Sequence, residues 1–316
     1  MRFGNCIHMK ISVIIPTYNR ERSIARTLNS LRESDQMDVE IIVVDDASGD
    51  QTVKTVEALK IPNLILVKLA LKTNGNFARN EAIRASSGDL VVFLDSDDEV
   101  LHSRLSGVIQ YFQSRGDVDV LVDSFITELN GVQRGFQFKE FELPNHAIRE
   151  ALIYHALPLT FSAITVRRTV IEQMGLLDEE ITRHQDRDFL LSALSANLRI
   201  VLRNSADVIK HQSSDSFSRS GVGYIRALNA LAAKHGLFKS GEHQSLKEYL
   251  VLRSFLHSVS KLDLSECIEN VVAYSKATAL KPVRWHRLVA YFDGKRLRRE
   301  LERRLIVFHS PKNPAV

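Results

Sequence analysis

Long apolar runs are missing from this sequence, and no window approaches the roughly 18 consecutive apolar residues of a membrane-spanning helix. The start, Met1 to Lys10, lacks both the apolar stretch and the small-residue cleavage site of a signal peptide, so the expected location is the cytoplasm. Cysteine is scarce: Cys6 and Cys267 stand far apart, which excludes a disulfide framework and a thiolate zinc site. Both read as free thiols in a reducing compartment. Gly-rich phosphate loops are absent. There is no G-x-G-x-x-G and no G-x-x-x-x-G-K-[ST], which disfavours a dinucleotide oxidoreductase or a P-loop NTPase. Any diphosphate must therefore be held by a metal and by side chains. Nor is there a large excess of one charge. A net charge of +4 suits an anionic substrate or membrane surface and does not point to nucleic acid.

What is present is an ordinary globular composition, 44% hydrophobic and 25% charged over 316 residues. That suits one α/β domain with an appendage. Residues 1–9 read as a disordered leader, 10–220 as the α/β domain and 221–316 as a helical region, with a soft boundary near Arg219 to Gly223. Short apolar runs, Ile11–Ile15, Glu40–Val44, Leu64–Val67 and Leu90–Leu94, alternate with helix-patterned stretches over Glu21–Arg32, Gln51–Leu59 and Asn76–Ala85. Asp50 stands where a helix cap belongs. Strands are further expected over Val118–Phe125, Val132–Phe141 and Phe161–Arg167, and helices over Ile148–Ala156 and Asp186–Asn197. Continuous apolar strands between helices predict a mostly parallel sheet covered on both faces, with ligands beyond the strand carboxyl ends. Thr17-Tyr18-Asn19, Asp45-Asp46 and Asp95-Ser96-Asp97-Asp98 all follow strand ends, so they are expected to line one crevice.

Asp95-Ser96-Asp97-Asp98 packs three carboxylates into four residues. Such a cluster either surrounds a hard divalent cation that bridges to a diphosphate, or forms a solvated acidic turn before the next helix. A phosphatase-type aspartyl nucleophile is disfavoured, because that chemistry places the motif on the first strand and here it follows the fourth.

Val13-Ile14-Ile15-Pro16-Thr17-Tyr18-Asn19-Arg20, Val43-Val44-Asp45-Asp46-Ala47-Ser48-Gly49-Asp50, Ala78-Arg79-Asn80 and Phe93-Leu94-Asp95-Ser96-Asp97-Asp98 occur in that order. The set resembles the family 2 inverting glycosyltransferases of the GT-A fold over roughly Lys10 to Ser218. The resemblance implies a nucleotide-sugar donor, with a UDP-sugar the first expectation, and a divalent cation, Mn or Mg. It assigns Pro16, Thr17, Tyr18 and Asn19 to the base and ribose pocket, with Tyr18 as a stacking face. Asp46, with Asp45, would hydrogen-bond the base edge or ribose, and Arg79 would reach the base or diphosphate. Asp95 would contact ribose or sugar beside Ser96, and Asp97 would be the principal metal ligand. Gly175-Leu176-Leu177-Asp178-Glu179 followed by His184-Gln185-Asp186-Arg187-Asp188 is similar to the family's catalytic segment, which makes Asp186 the base. Gln185 stands where the family usually has Glu, and Asp188 is either a second, less favoured base or a solvated helix residue. Lys210-His211 with Ser214, Ser216 and Ser218 resembles a site-closing segment in which His211 binds metal or diphosphate.

Near the end, Trp285, Leu288, Val289 and Phe292, then Leu297, Leu301 and Leu305 among Lys and Arg, form a basic amphipathic pattern. It is either a docking surface for an anionic membrane carrying lipid-linked acceptors or a helix packed on the domain. The expected reaction is sugar transfer to a hydroxyl of a glycan or lipid-linked acceptor in surface polysaccharide assembly. A sugar nucleotidyltransferase and a degenerate nucleotide-sugar-binding scaffold are the alternatives.

Overall fold

The computed structural model describes residues 8–32, 38–139, 142–212 and 224–237, together with 295–296, 298–300 and 302–309. The expectations for the leader up to residue 7, both cysteines, the serine-containing stretch 213–223 and the stripe at 285–292 lie outside the described residues.

Strands β1 (Ile11–Thr17), β2 (Val39–Asp45), β3 (Leu64–Lys68) and β4 (Leu90–Phe93) alternate with helices α1 (Ile24–Asn29), α2 (Thr52–Ala58) and α3 (Gly75–Arg84). The β-branched runs of β1, β2 and β4 are buried on both faces, as expected for a parallel sheet sandwiched between helices. Asp50, expected as the cap of α2, stands one residue before the actual N-cap, Gln51, and accepts the Thr52 N–H at 2.9 Å. The large sheet runs β10-β6-β9-β4-β1-β2-β3, adding β6 (Val120–Asp123), β9 (Ile164–Arg167) and β10 (Ile200–Arg203). Every pairing is parallel except those of β9, which lies antiparallel between β4 and β6. The chain moves from β1 outward to β2 and β3, then returns to place β4 on the other side of β1. That reversal makes a switch point between β1 and β4, the place where open α/β sheets hold ligands in a crevice beyond the strand ends. Pro16 fits in β1 because β4 pairs only as far as Ile14, so the missing N–H costs no ladder bond on that side.

A second sheet, β12-β8-β7-β11-β5, was not expected as a unit. It collects β5 (Glu99–Val100), β7 (Ile126–Leu129), β8 (Val132–Phe138), β11 (Val208–His211) and β12 (Ile306–His309). Strand β12 adds a strand to a C-terminal region read as helical: it pairs antiparallel with β8, and its Ile306 is buried together with the preceding Leu305. Helices α4 (Ser103–Ser114), α5 (Asn145–Ile153), α6 (Arg168–Met174), α7 (Gln185–Ser195) and α8 (Tyr224–His235) cover the sheets.

At the end of the sheet opposite the crevice, Gly88 lies against β1. A Cβ there would fall 2.5 Å from Ser12 Oγ and 2.6 Å from the Ser12 nitrogen, so only glycine allows the approach. On the crevice side, the Asn74 side chain caps α3 by accepting the N–H groups of Asn76 and Phe77, and donates to the Glu179 carbonyl at 3.0 Å. Asn74→Ala should lower stability by about 1 kcal/mol, the usual worth of a cap, measurable by urea denaturation.

Candidate active site

Four strand ends build the crevice. Thr17 ends β1 opposite Asp45, which ends β2, and both are buried at 3% exposure. Thr17 Oγ1 and Asp45 Oδ1 have no hydrogen-bond partner among the described residues, although leaving such groups unmet when buried costs about 1–3 kcal/mol each. Both atoms are buried as well as unpartnered, so a ligand would meet them only if the β1 and β2 loops shift. Asn19, in a left-handed conformation at φ 50°, accepts the Gly49 N–H through its side chain, and its own N–H reaches Ser48 Oγ at 2.9 Å. This lock joins the β1 and β2 loops, so Asn19 acts on the loop frame. Tyr18 is 40% exposed, with the Lys72 ammonium 4.1 Å above its ring. Asp46 is less open than the expected contact with a base requires. Its Oδ1 accepts the Thr73 N–H at 2.7 Å and the Thr73 hydroxyl at 2.6 Å, and Lys72 pairs with its Oδ2.

The acidic loop leaves β4 where the antiparallel β9 begins, so Ser162 sits beside it. Ser162 Oγ accepts the Asp95 N–H at 3.0 Å and donates to Asp98 Oδ2 at 2.6 Å. The four loop residues consequently differ. Asp95 Oδ1 is bound by Arg79 at 2.7 Å. Burial would raise the Asp95 carboxyl, but Arg79 and Lys210 hold it below its ordinary range. Ser96 is buried, and its carbonyl accepts the Ser23 hydroxyl. Asp98 is fully buried, and burial pushes its carboxyl up to about 7, against the pull of Lys210 and with help from Asp95 and Asp97. Asp97 alone presents an open carboxylate, 40% exposed, 3.4 Å from Arg20.

Arg79 is braced by the protein: it is 6% exposed, stacks on Phe161 at 4.1 Å and bonds Asp95 on one side and Gln185 on the other, the latter at 2.9 Å. The amide of Gln185 explains the departure from Glu. Its oxygen accepts from Arg79 while its NH2 donates to the Ile181 carbonyl at 2.9 Å, a donation no carboxylate can make. Gly75 leaves room for this bond, since a Cβ there would lie 2.9 Å from the Arg79 guanidinium and 3.1 Å from Gln185 Oε1. One guanidinium therefore ties the acidic loop to the start of α7.

Asp186 lies in the first turn of α7, half-buried, with Oδ1 accepting the Arg187 N–H at 2.8 Å. His184, in a left-handed conformation at φ 58°, precedes the helix, and burial, with Arg187 nearby, lowers its imidazole to about 4. Asp188 is not solvated as expected. It is 3% exposed and paired with Lys234 and His235, so it is no candidate base. His211 is held between two carboxylates: Nε2 is 2.5 Å from Glu99 Oε1 and Nδ1 3.6 Å from Glu128 Oε2.

Lys210 is the residue whose part the sequence left unread. It projects from β11 to donate to Thr160 Oγ1 at 2.9 Å, with Asp98 Oδ2 at 3.9 Å. Burial would lower its ammonium, but Asp98, Asp95, Asp97 and Asp186 together hold it above its ordinary range. One cation is thus within electrostatic reach of all three acids of the loop and of Asp186.

Among the described residues, no three His, Cys, Asp or Glu side chains converge as a ready metal cage. A single open carboxylate at Asp97 still fits Mg or Mn, which bind through one or two carboxylates and complete their shells with phosphate oxygens and water. It does not fit an all-protein site. No helix among the described residues is long and apolar enough to cross a membrane.

Comparison with known proteins converges on one family. Residues 12–175 match the model of "Glycosyl transferase family 2". The chain is 32% identical over 207 residues to the poly(ribitol-phosphate) beta-N-acetylglucosaminyltransferase TarS of Staphylococcus aureus, covering 63% of this chain and 35% of TarS. It therefore spans about a third of that relative's length. It is 29% identical over 270 residues to the succinoglycan biosynthesis protein ExoO of Rhizobium meliloti, covering 80% of this chain and 77% of ExoO. A crystal structure of S. aureus TarS in complex with UDP-GlcNAc superposes with a TM-score of 0.60 at 22% identity, covering 87% of this chain and 93% of that one. A mannosyltransferase from Pyrobaculum calidifontis in complex with GDP-Man and Mn2+ gives a TM-score of 0.53 at 18% identity, covering 94% and 84%. The GT-A-type α/β architecture is thereby shared. With the family model covering more than half of its 316 residues, this chain belongs to the family 2 glycosyltransferases.

Proposed function

We propose that this chain transfers a sugar from a nucleoside diphosphate sugar, a UDP-sugar in the first instance, to a hydroxyl acceptor with inversion. The observation that carries the reading is the Arg79 bridge, which holds the Asp95–Asp98 loop and the Asp186 turn against one crevice. In this reading Pro16, Thr17, Tyr18 and Asp45 line the nucleoside end, where Thr17 Oγ1 and Asp45 Oδ1 are unmet. Asp97 would hold a divalent cation, whose chemistry there would be to offset the negative charge of the diphosphate leaving group. Asp186 removes the proton of the acceptor hydroxyl as that oxygen attacks the anomeric carbon, so a single displacement inverts the centre. Arg79 and Gln185 orient the two carboxylates. Lys210, beside Asp98, adds a positive charge to the site, suited to the diphosphate. The relatives' names, one an N-acetylglucosaminyltransferase and one a succinoglycan biosynthesis protein, support a glycan acceptor in polysaccharide assembly. Peripheral membrane contact through the basic C-terminal run is proposed for lipid-linked acceptors; most of that run lies outside the described residues.

Calorimetric titration with UDP and GDP, with and without manganese, tests the donor site. UDP binding strengthened by manganese supports it, and no metal-dependent binding of either nucleotide removes it. Lys210→Met should weaken UDP binding by about tenfold or more, the worth of a hydrogen bond to a charged group, while Lys210→Arg keeps most of it. Equal affinity in all three proteins would leave Lys210 as a counter-ion of the acidic loop alone.

A further inference from the structure

Beyond the region matched by the family model, α8 contributes a second set of charges to the segment that carries Asp186. Lys234 Nζ lies 2.9 Å from Asp178 Oδ2 and 2.9 Å from Asp188 Oδ2. His235 Nε2 lies 2.8 Å from Asp188 Oδ1, and both of those side chains are 4% exposed. Both oxygens of Asp188 are thus engaged by α8. The His235 carbonyl in turn accepts Arg149 of α5 at 3.1 Å, which fixes the end of α8 to the body.

Two consequences follow from helix geometry. Residues two apart on an α-helix point about 200° apart, so the buried pull on Asp188 sets the rotation of the first turn of α7 and with it the direction of Asp186. Asp178 belongs to the loop that leads into α7. The Asn80, Asn76 and Asn74 side chains of α3 donate to the Leu177, Asp178 and Glu179 carbonyls of that loop at 2.9, 2.8 and 3.0 Å. Lys234 therefore clamps the loop to the helix it introduces. An ammonium held between two carboxylates in partly buried surroundings is worth more than an exposed pair, and removing it leaves Asp188 buried with the imidazole alone.

We propose that Lys234 and His235 are positioning residues for Asp186, making α8 part of the catalytic frame rather than an appendage. This rests on the reading of Asp186 as the base. A clamp that sets direction without touching donor should change turnover and spare donor binding, because misplacing a reacting group by about 1 Å can cost about 100-fold.

The test uses the full chain. UDP release is measured from UDP-glucose, UDP-galactose and UDP-GlcNAc for wild type, Lys234→Met, Lys234→Arg and Asp186→Asn, alongside UDP affinity and Tm. The expected result is a kcat at least about tenfold lower in Lys234→Met, with KM and UDP affinity within about twofold and most of kcat restored in Lys234→Arg. An unchanged kcat in folded Lys234→Met, with Asp186→Asn inactive, overturns the clamp and leaves the base in place. Loss of kcat and UDP affinity together also overturns it, since that is general loosening. An active Asp186→Asn overturns the base and the clamp with it. Should Lys234→Met not fold, Asp178→Asn removes one arm of the clamp at a partly exposed position and is judged by the same split.

Discussion

Asp186→Asn should reduce kcat by about 10²–10⁴-fold while leaving UDP affinity within about twofold. Asparagine keeps the shape of the side chain and can still accept the Arg187 N–H through its oxygen, so the first turn of α7 should stay formed. What it loses is the ability to take a proton. A carboxylate in that turn also suits the positive end of the helix dipole, a small contribution that asparagine forfeits. Asp188, two residues on, cannot substitute, because both of its oxygens are engaged by α8. Steady-state UDP release and calorimetry on the same preparation check the split. A kcat within threefold of wild type would end the assignment of Asp186 as base.

Asp97→Asn should remove the manganese-dependent part of UDP binding, weakening it by at least about 100-fold with metal present and little without it. Loss of an outer-shell group alone costs 10–100-fold in metal affinity, and Asp97 is the open carboxylate itself. The fold should tolerate the change. Asp95 stays with Arg79 and Asp98 with Ser162, and the Asp97 backbone carbonyl still accepts Arg26 at 2.8 Å. The Arg20 contact to Asp97 is exposed and contributes little to stability. An unchanged Tm with metal-dependent binding lost is the expected pair of results. Binding that keeps its manganese dependence would place the cation elsewhere.

The strands that frame the crevice were legible because β1, β2 and β4 are largely apolar runs that lead into Tyr18-Asn19, Asp45-Asp46 and Asp95, although β1 continues through Pro16 to Thr17. The second sheet was not. Its pairs join residues far apart, such as Glu99 with Ile209 and Phe138 with Ile306, and β5 is only two residues long, too short for any periodic pattern. Strand β12 was hidden behind the Arg-rich run, where charge suggested a solvated helix. Within the site, residue types gave positions but not partners. Asp95, Asp97 and Asp98 look equivalent in sequence; Arg79, Ser162 and burial make them a braced, an open and a buried carboxylate. Arg79 and His211 are residue types suited to a ligand, and each already has a protein partner. Lys210 was visible as a basic residue, but nothing local reveals that β11 brings it among four carboxylates. Gln185 read as a deviation until the Ile181 carbonyl supplied its reason.

A crystal structure of the full chain with UDP and manganese tests the central claim most directly. Anomalous density should place manganese against the Asp97 carboxylate with diphosphate oxygens completing its shell, the uridine over Tyr18 and Asp45, and Asp186 facing the open side of the crevice beyond the phosphates. Manganese bound away from Asp97, or a nucleotide seated outside the crevice between β1 and β4, would contradict it.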